Sequence, residues 1–329
     1  MKTLINYAKF LVSNKTSNER YYQMRSDYIV NKNKDADICS SITAIINPKF
    51  KISNSKGIIG DLGSKEVKEV SNSLYENGYY IFEKKLDAST VERIKSFMET
   101  VPVRYSTVDS QLSSIVNEKG YRKCADLGNR FDIADVAFCN SNKDLLDIIA
   151  DENFFHISNE YLGSKPILDI VTLWWNKTIP VSLSDDKKNL LKNASAQMFH
   201  LDMDRLKFLK FFIFLTDVDE ESGPHVYVKN THKVSPDYIT SDGRFTDDLI
   251  EANAGDKIVK ICGGRGSIIA VDTRGLHKGM EVLKGERLIF QVEFTNSLFG
   301  NPEHPSSSLK LQIKPIYKKS YKLFLENEP

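Results

Sequence analysis

No segment of this 329-residue chain approaches the ~20 consecutive apolar residues that a membrane helix requires, so no membrane span is expected. The run at 4–12 is short, carries Lys9 and lacks a small-residue cleavage site, which argues against a signal peptide. Cysteine is scarce. Cys39, Cys124, Cys139 and Cys262 show neither CxxC nor zinc-knuckle spacing, and they read as reduced thiols of a cytoplasmic protein. Neither sign of charge dominates, with 45 Lys and Arg against 44 Asp and Glu. Without a basic field, nucleic acid is not an expected partner. Internal repeats and low-complexity tracts are also missing. What remains is a chain long enough to bury a large core, with room for one enzyme domain plus an extension.

The organisation changes along the chain. Residues 1–60 are polar, rich in Asn, Lys and Ser, and only weakly patterned for helix; they read as a partly ordered arm or packing extension. From Ser64 the signals strengthen. Val67, Val70 and Leu74 form a helical stripe closed by Gly78, followed by a short strand at 79–82. Ser89-Thr90-Val91-Glu92 reads as a capping box opening a helix through Ile94, Phe97 and Met98. Two further helical stretches lie at 143–150 and 154–162, the second closed by Gly163. The first long core strand is 167–175, and the remainder is strand and turn broken by polar loops at 182–192 and 235–255. A strand meander with helices gathered at its N-terminal end implies an α+β domain over 61–300. Its core, about 167–296, is expected to be a double-stranded β-helix of the jelly-roll or cupin-like kind, with N-terminal helices packed on it and 301–329 as a C-terminal extension.

Four side chains carry the functional expectation. Residues two apart in a strand share a face, so His200 and Asp202 in Met198-Phe199-His200-Leu201-Asp202-Met203 can offer a nitrogen and an oxygen to one metal. His277 follows a buried apolar strand, Ser267 to Val271, and can complete a facial set of two histidines and one carboxylate. With open positions opposite, that is the ligand set of non-haem Fe(II) oxygenases. Arg287, across a turn at Lys284-Gly285, places a planar guanidinium beside the metal, a group suited to pairing both oxygens of a carboxylate. Other polar residues read less sharply. Asp204 shares the parity of His200 and Asp202 but has Arg205 and Lys207 as local partners. Lys210, among aromatics, either reaches an interior carboxylate or snorkels outward. Trp174 shares the parity of Thr172, which puts it at the pocket mouth or, more simply, in the core. His225 and His232 read as structural or surface histidines, and His156 and His304 have no strand partner at metal spacing. Gly263-Gly264-Arg265-Gly266 reads as a turn, because no Lys-Ser/Thr and helix follow it.

The same segments carry a family resemblance. QMFHLDMD, FFIFLTDVDEESGPHVYV and GSIIAVDTRGLHKG with the following Arg287 resemble the phytanoyl-CoA dioxygenase family of iron(II)/2-oxoglutarate oxygenases. Weaker similarity runs upstream through ENGYYIF (76–82) and EYLGSKP (160–166), covering about 65–300 in all. The resemblance implies Fe(II) held by His200, Asp202 and His277, with 2-oxoglutarate anchored by Arg287 and O2 as second co-substrate. It implies hydroxylation of a C–H bond of a small or conjugated substrate, coupled to release of succinate and CO2. Asp202 argues against halogenation, in which halide takes the place of the carboxylate. Two departures stand out: Asn230-Thr231-His232-Lys233, where many members carry Gly-Ser-His, and Gly279, where some members carry a hydroxyl that helps hold the co-substrate. The alternatives are a non-redox cupin-like module binding a metal or carbohydrate, which has no need of a co-substrate arginine, and, among enzymes, a cupin isomerase. Fold likeness alone does not identify the substrate.

Overall fold

The computed structural model describes residues 2–108, 114–121, 128–305 and 307–326, so Cys124 lies outside the described residues. Three helices open the chain: α1 (Lys2–Ser13), α2 (Asn18–Val30) and α3 (Lys34–Ile46). A small hairpin follows, β1 (Asn54–Gly57) with β2 (Gly60–Gly63). Then come α4 (Ser64–Asn77), β3 (Tyr79–Ile81), α5 (Ala88–Met98), β4 (Val103–Val108), β5 (Ile115–Gly120) and β6 (Arg130–Ile133). Helices α6 (Lys143–Ile149) and α7 (Glu152–Leu162) lead into β7 (Ile167–Lys177), α8 (Asp185–Ala194), β8 (Phe208–Phe214) and β9 (His225–Val228). The remaining elements are α9 (Asp247–Ala254), β10 (Ile258–Ile261), β11 (Ile268–Val271), β12 (His277–Gly279) and β13 (Glu286–Thr295).

Apart from the β1-β2 hairpin, these strands form the two antiparallel sheets of a double-stranded β-helix. The larger has eight strands in the order β3-β11-β8-β13-β7-β6-β4-β5, and the smaller has three, β10-β9-β12. Strand parity sorts the side chains of the large sheet. On β13, Leu288, Phe290, Val292 and Phe294 join Leu209, Phe211 and Ile213 of β8 in the core beneath α4 to α7. The alternate residues, Arg287, Ile289 and Gln291 on β13 with Lys210, Phe212 and Phe214 on β8, face the space between the sheets. Both faces of β8 are covered, which explains why Phe208 to Phe214 is a continuous aromatic and aliphatic run, buried throughout.

Several expectations hold at residue level. Helix α4 ends at Gly78, whose φ of 85° is the left-handed conformation that glycine adopts without a Cβ clash. Helix α7 ends likewise at Gly163, φ 71°. Others differ. The N-cap of α5 is Asp87, whose carboxylate accepts from Thr90 N, Thr90 Oγ1 and Ser89 Oγ; Ser89 therefore serves the cap rather than being it. The polar stretches expected as loops at 182–192 and 235–255 contain α8 and α9, because Asp185 with Asp186 and Asp247 with Asp248 in the first turns favour helix starts. Strands β4, β5 and β6 extend the large sheet with segments too polar to stand out as strands.

The segment 198–205 is extended but is not a ladder strand. It touches its neighbours through single bridges, Phe199 with Phe245, His200 with His277 and Arg205 with Gly300. Its parity nevertheless holds: Phe199, Leu201 and Met203 point into a core shared with Tyr7, Phe10, Met24 and Tyr28 of α1 and α2. The first helices thus back the segment from outside. No helix among the described residues is long and apolar enough to cross a membrane.

Arg205 anchors the far end of that segment. Its Nε and Nη2 donate to Asp169 at 2.6 and 2.8 Å, and its Nη1 to the carbonyls of Leu298 and Asn301. Both side chains of the pair are at most 3% exposed. Breaking a buried pair from one side leaves an uncompensated charge. Asp169→Ala is therefore expected to cost about 3–5 kcal/mol, read as a fall in urea midpoint at constant m. A loss below about 1 kcal/mol, the range of an exposed pair, would show that the segment is held by other contacts.

Candidate metal centre

The main chains of His200 and His277 exchange both hydrogen bonds, N to O at 3.0 Å each way. Asp202 N then bonds Thr273 O at 2.9 Å, so 273–277 spends four residues where 200–202 spends two. The excess is a turn, Thr273 to Leu276, fixed from below by Asp272. Its carboxylate accepts from Arg274 Nη2 and Tyr161 Oη, both at 2.6 Å, and its carbonyl accepts from Tyr227 Oη at 2.8 Å. Burial alone would raise the Asp272 carboxyl, but Arg274 holds it down to about 2.

This pairing brings His200, Asp202 and His277 together, with one donor atom from each lying within 4.8 Å of the others. The imidazole rings sit 4.2 Å apart between centroids. His200 Nδ1 lies 2.8 Å from the Met198 carbonyl and His277 Nδ1 2.9 Å from the Gly275 carbonyl. A carbonyl only accepts, so each Nδ1 donates a proton and each Nε2 is left as a lone pair, the tautomer a metal needs. Those Nε2 atoms lie 3.5 and 3.4 Å from Asp202 Oδ1 and Oδ2. Burial, and then the neighbouring His277, push the His200 ring well below its ordinary pKa, keeping it neutral.

Lys210 reaches inward. Its Nζ donates to Asp202 Oδ2 at 2.7 Å and lies 3.4 Å from Glu293, its direct cross-strand partner. Burial opposes ionisation of Asp202, but Lys210 and His277 hold it well below the usual carboxylate range. Glu293 is fully buried and is pushed up by that burial. Asp202, not Glu293, is thus the settled counter-ion of Lys210.

Arg287 lies in the same cavity, 5% exposed. Register aligns Arg130, Asn176 and Arg287 side by side across β6, β7 and β13. Asn176 Oδ1 accepts from Arg287 Nη2 at 2.7 Å and from Trp174 Nε1 at 2.9 Å. No carboxylate among the described residues pairs with Arg287, and its Nε has no hydrogen-bond partner. Burial and then Arg130 bring it down to about 9, so it stays charged at neutral pH. Gly279 explains how the guanidinium fits: a Cβ there would meet Arg287 Nη2 at 2.9 Å. The departure from a hydroxyl-bearing residue at this position is what lets the arginine lie close.

The cavity, about 440 Å³, is also lined by Trp174, Phe212, His225, Arg130 and Arg244. Trp174 therefore faces the cavity rather than the helix-side core, with the Arg130 guanidinium 4.5 Å over its ring. His225 is no surface residue: it is buried, stacked at 5.5 Å on His277, with Nε2 unpartnered. His232 is structural, its Nε2 3.1 Å from Tyr75 O. Asp204 turns away to accept from Tyr21 Oη at 2.7 Å. Asn176 could have been found from parity with Thr172 and Trp174, and Arg130 from the short alternation Arg130-Phe131-Asp132-Ile133; Arg244 lies in a segment with no periodic signal.

No curated protein matches the chain by sequence. Among solved structures, EctD from S. alaskensis is similar at 14% identity, TM-score 0.48, over 86% of this chain and 94% of its own. The epimerase SnoN, solved with Fe3+, alpha ketoglutarate and nogalamycin RO, is similar at 15% identity, TM-score 0.47, over 70% of this chain and 84% of its own. AviO1 from Streptomyces viridochromogenes Tue57 gives 11% identity, TM-score 0.45, over 71% and 96%. The sequence model of the phytanoyl-CoA dioxygenase family matches residues 74–283, a span that holds His200, Asp202 and His277 and ends just before Arg287. The donor set and the unpaired buried arginine fit the iron and 2-oxoglutarate that this family uses, and the chain belongs to the phytanoyl-CoA dioxygenase family.

Proposed function

We propose that the protein is an Fe(II)- and 2-oxoglutarate-dependent dioxygenase that hydroxylates a C–H bond of a small organic substrate. His200, Asp202 and His277 would hold the iron and Arg287 the far carboxylate of 2-oxoglutarate. When bound, the iron and co-substrate supply oxygen activation coupled to decarboxylation of 2-oxoglutarate to succinate and CO2. The observation that carries the reading is Arg287. A buried cation with no protein counter-ion is costly, and a dianionic co-substrate supplies the missing charge. A module binding a neutral carbohydrate would leave that cost unmet.

The protein's own groups have separable tasks. The Met198 and Gly275 carbonyls orient the two imidazoles. Lys210 engages Asp202 Oδ2, which leaves Oδ1 as the free oxygen and disfavours chelation by both. Asn176 holds the Arg287 guanidinium, and the apolar walls, Phe212, Phe214 and Ile289, exclude water. Retention of a carboxylate at position 202 favours hydroxylation over halide transfer.

A metabolite screen for succinate formation that requires both added Fe(II) and 2-oxoglutarate tests this directly. His200→Ala, Asp202→Ala and His277→Ala are each expected to reduce that formation to background while the fold persists. Near-normal turnover in any one would remove that residue from the site. Lys210→Met tests the positioning of Asp202. We expect Fe(II) affinity to fall about 10- to 100-fold, the usual cost of losing a group that orients a ligand, with Lys210→Arg recovering part of it. Unchanged affinity in Lys210→Met would mean that the ammonium only neutralises buried charge.

A further inference from the structure

The charges lining the cavity do not balance. Arg130, Lys210, Arg244 and Arg287 face only Asp132 and Asp202. Iron(II) and the 2-oxoglutarate dianion would cancel each other, so a surplus of two positive charges persists whether or not they are bound. Even with Glu293 ionised behind Lys210, one cation remains uncompensated.

Each cationic side chain but one has a named anionic partner, although the 2-oxoglutarate that Arg287 would hold is the charge already counted against the iron. Lys210 serves Asp202 and Arg287 serves the co-substrate. Arg130 is bound to Asp132, with Nε 3.0 and Nη2 2.8 Å from its oxygens. Arg244 is left over. It lines the cavity and also a second hollow, about 770 Å³, that shares His200 and Asp202 with it. The other charges of that hollow, Arg25 with Asp202, Asp204 and Asp242, are each held in a local contact. Arg25 of α2 grips Asp242 through Nε and Nη2 at 2.6 and 2.9 Å, and Asp204 accepts from Tyr21. Arg244 has one long contact, Nε to Asn193 Oδ1 at 3.4 Å, and no carboxylate among the described residues at ion-pair distance.

We infer that the substrate of this enzyme is an organic anion, a carboxylate or a phosphate monoester, whose charged group docks on Arg244 on the metal side of the cavity. A planar guanidinium recognises either group through paired hydrogen bonds. Arg25 lines the same hollow and Tyr21 donates to its Asp204, so α2, which precedes the matched family span, belongs to the substrate's surroundings. The inference uses the iron and 2-oxoglutarate reading only for their charge balance.

The test is calorimetric titration of the full chain, loaded anaerobically with Fe(II) and 2-oxoglutarate, with two matched pairs of probes. N-acetylglycine against N-acetylglycinamide reports a carboxylate site; glycerol 3-phosphate against glycerol reports a phosphate site. We expect the anion of at least one pair to bind at least about tenfold more tightly than its neutral counterpart. In Arg244→Gln that anion should lose about tenfold in affinity, with 2-oxoglutarate affinity unchanged. Equal affinity within both pairs, no binding by any of the four, or anion binding untouched by Arg244→Gln overturns the inference. Failure of the loaded protein to show its iron-to-co-substrate charge-transfer absorption would count against the cofactor reading instead. Arg244-dependent anion binding by the metal-free protein would then still uphold the anion site.

Discussion

Everything in the site depends on one reciprocal main-chain pairing, His200 with His277. Two hydrogen bonds of 3.0 Å join segments 77 positions apart and fix the distance between their side chains. Because the pairing is a single bridge, each segment is free to do something a ladder would forbid. One passes Asp202 to Thr273 at once, while the other spends its extra residues in a turn held by the Asp272, Arg274, Tyr161 and Tyr227 network. That buried network stabilises the turn, and the turn carbonyl of Gly275 sets the His277 tautomer. Packing reaches the site from the other side too, since α1 and α2 cover Leu201 and Met203 and so keep His200 and Asp202 facing inward.

Charge is the second constraint. An interior this apolar tolerates ions only in pairs, and it holds them in an ordered row: Glu293 beside Lys210, Lys210 on Asp202, then Arg287 and Arg130 beyond. Where a protein partner is missing, a ligand's charge has to supply it. The unpaired, buried guanidinium of Arg287 is thus the observation behind the proposed co-substrate carboxylate at the cavity's inner end, whereas Arg244 is exposed and stands outside that buried row.

Much of this was legible in the sequence where period and chemistry coincide. His200 and Asp202 share a strand face, and Phe199, Leu201 and Met203 supply the opposite one, so the pattern announced both the site and its packing. The helical stripe Val67, Val70, Leu74 and its closing Gly78 were equally plain. Contacts between distant segments were not. Lys210 and Asp202 are eight positions apart, yet whether the lysine points in or out depends on the parity of β8 against a sheet that only the fold assembles. Arg130 sits in a strand of only four residues, too short for its alternation to stand out, and Arg244 in a loop without period. The weak pattern of residues 1–60 reflects helices whose buried faces are narrow: α2 buries only Met24, Tyr28 and Ile29. Their burial against Phe199 and Leu201 is a tertiary fact that no local period encodes.

The central claim is that Arg287 is a buried cation built for a second carboxylate beside a metal held by His200, Asp202 and His277. Anaerobic titration of 2-oxoglutarate into the Fe(II) protein, followed by its metal-to-ligand charge-transfer band, tests it most directly when wild type is compared with Arg287→Ala. The account predicts a saturable band in the wild type. In the variant it predicts a weakening of 2-oxoglutarate binding of about tenfold to a hundredfold, the loss of a hydrogen-bonded charge pair, with Fe(II) affinity unchanged. The same 2-oxoglutarate affinity in both proteins, or no band in the wild type, would contradict it.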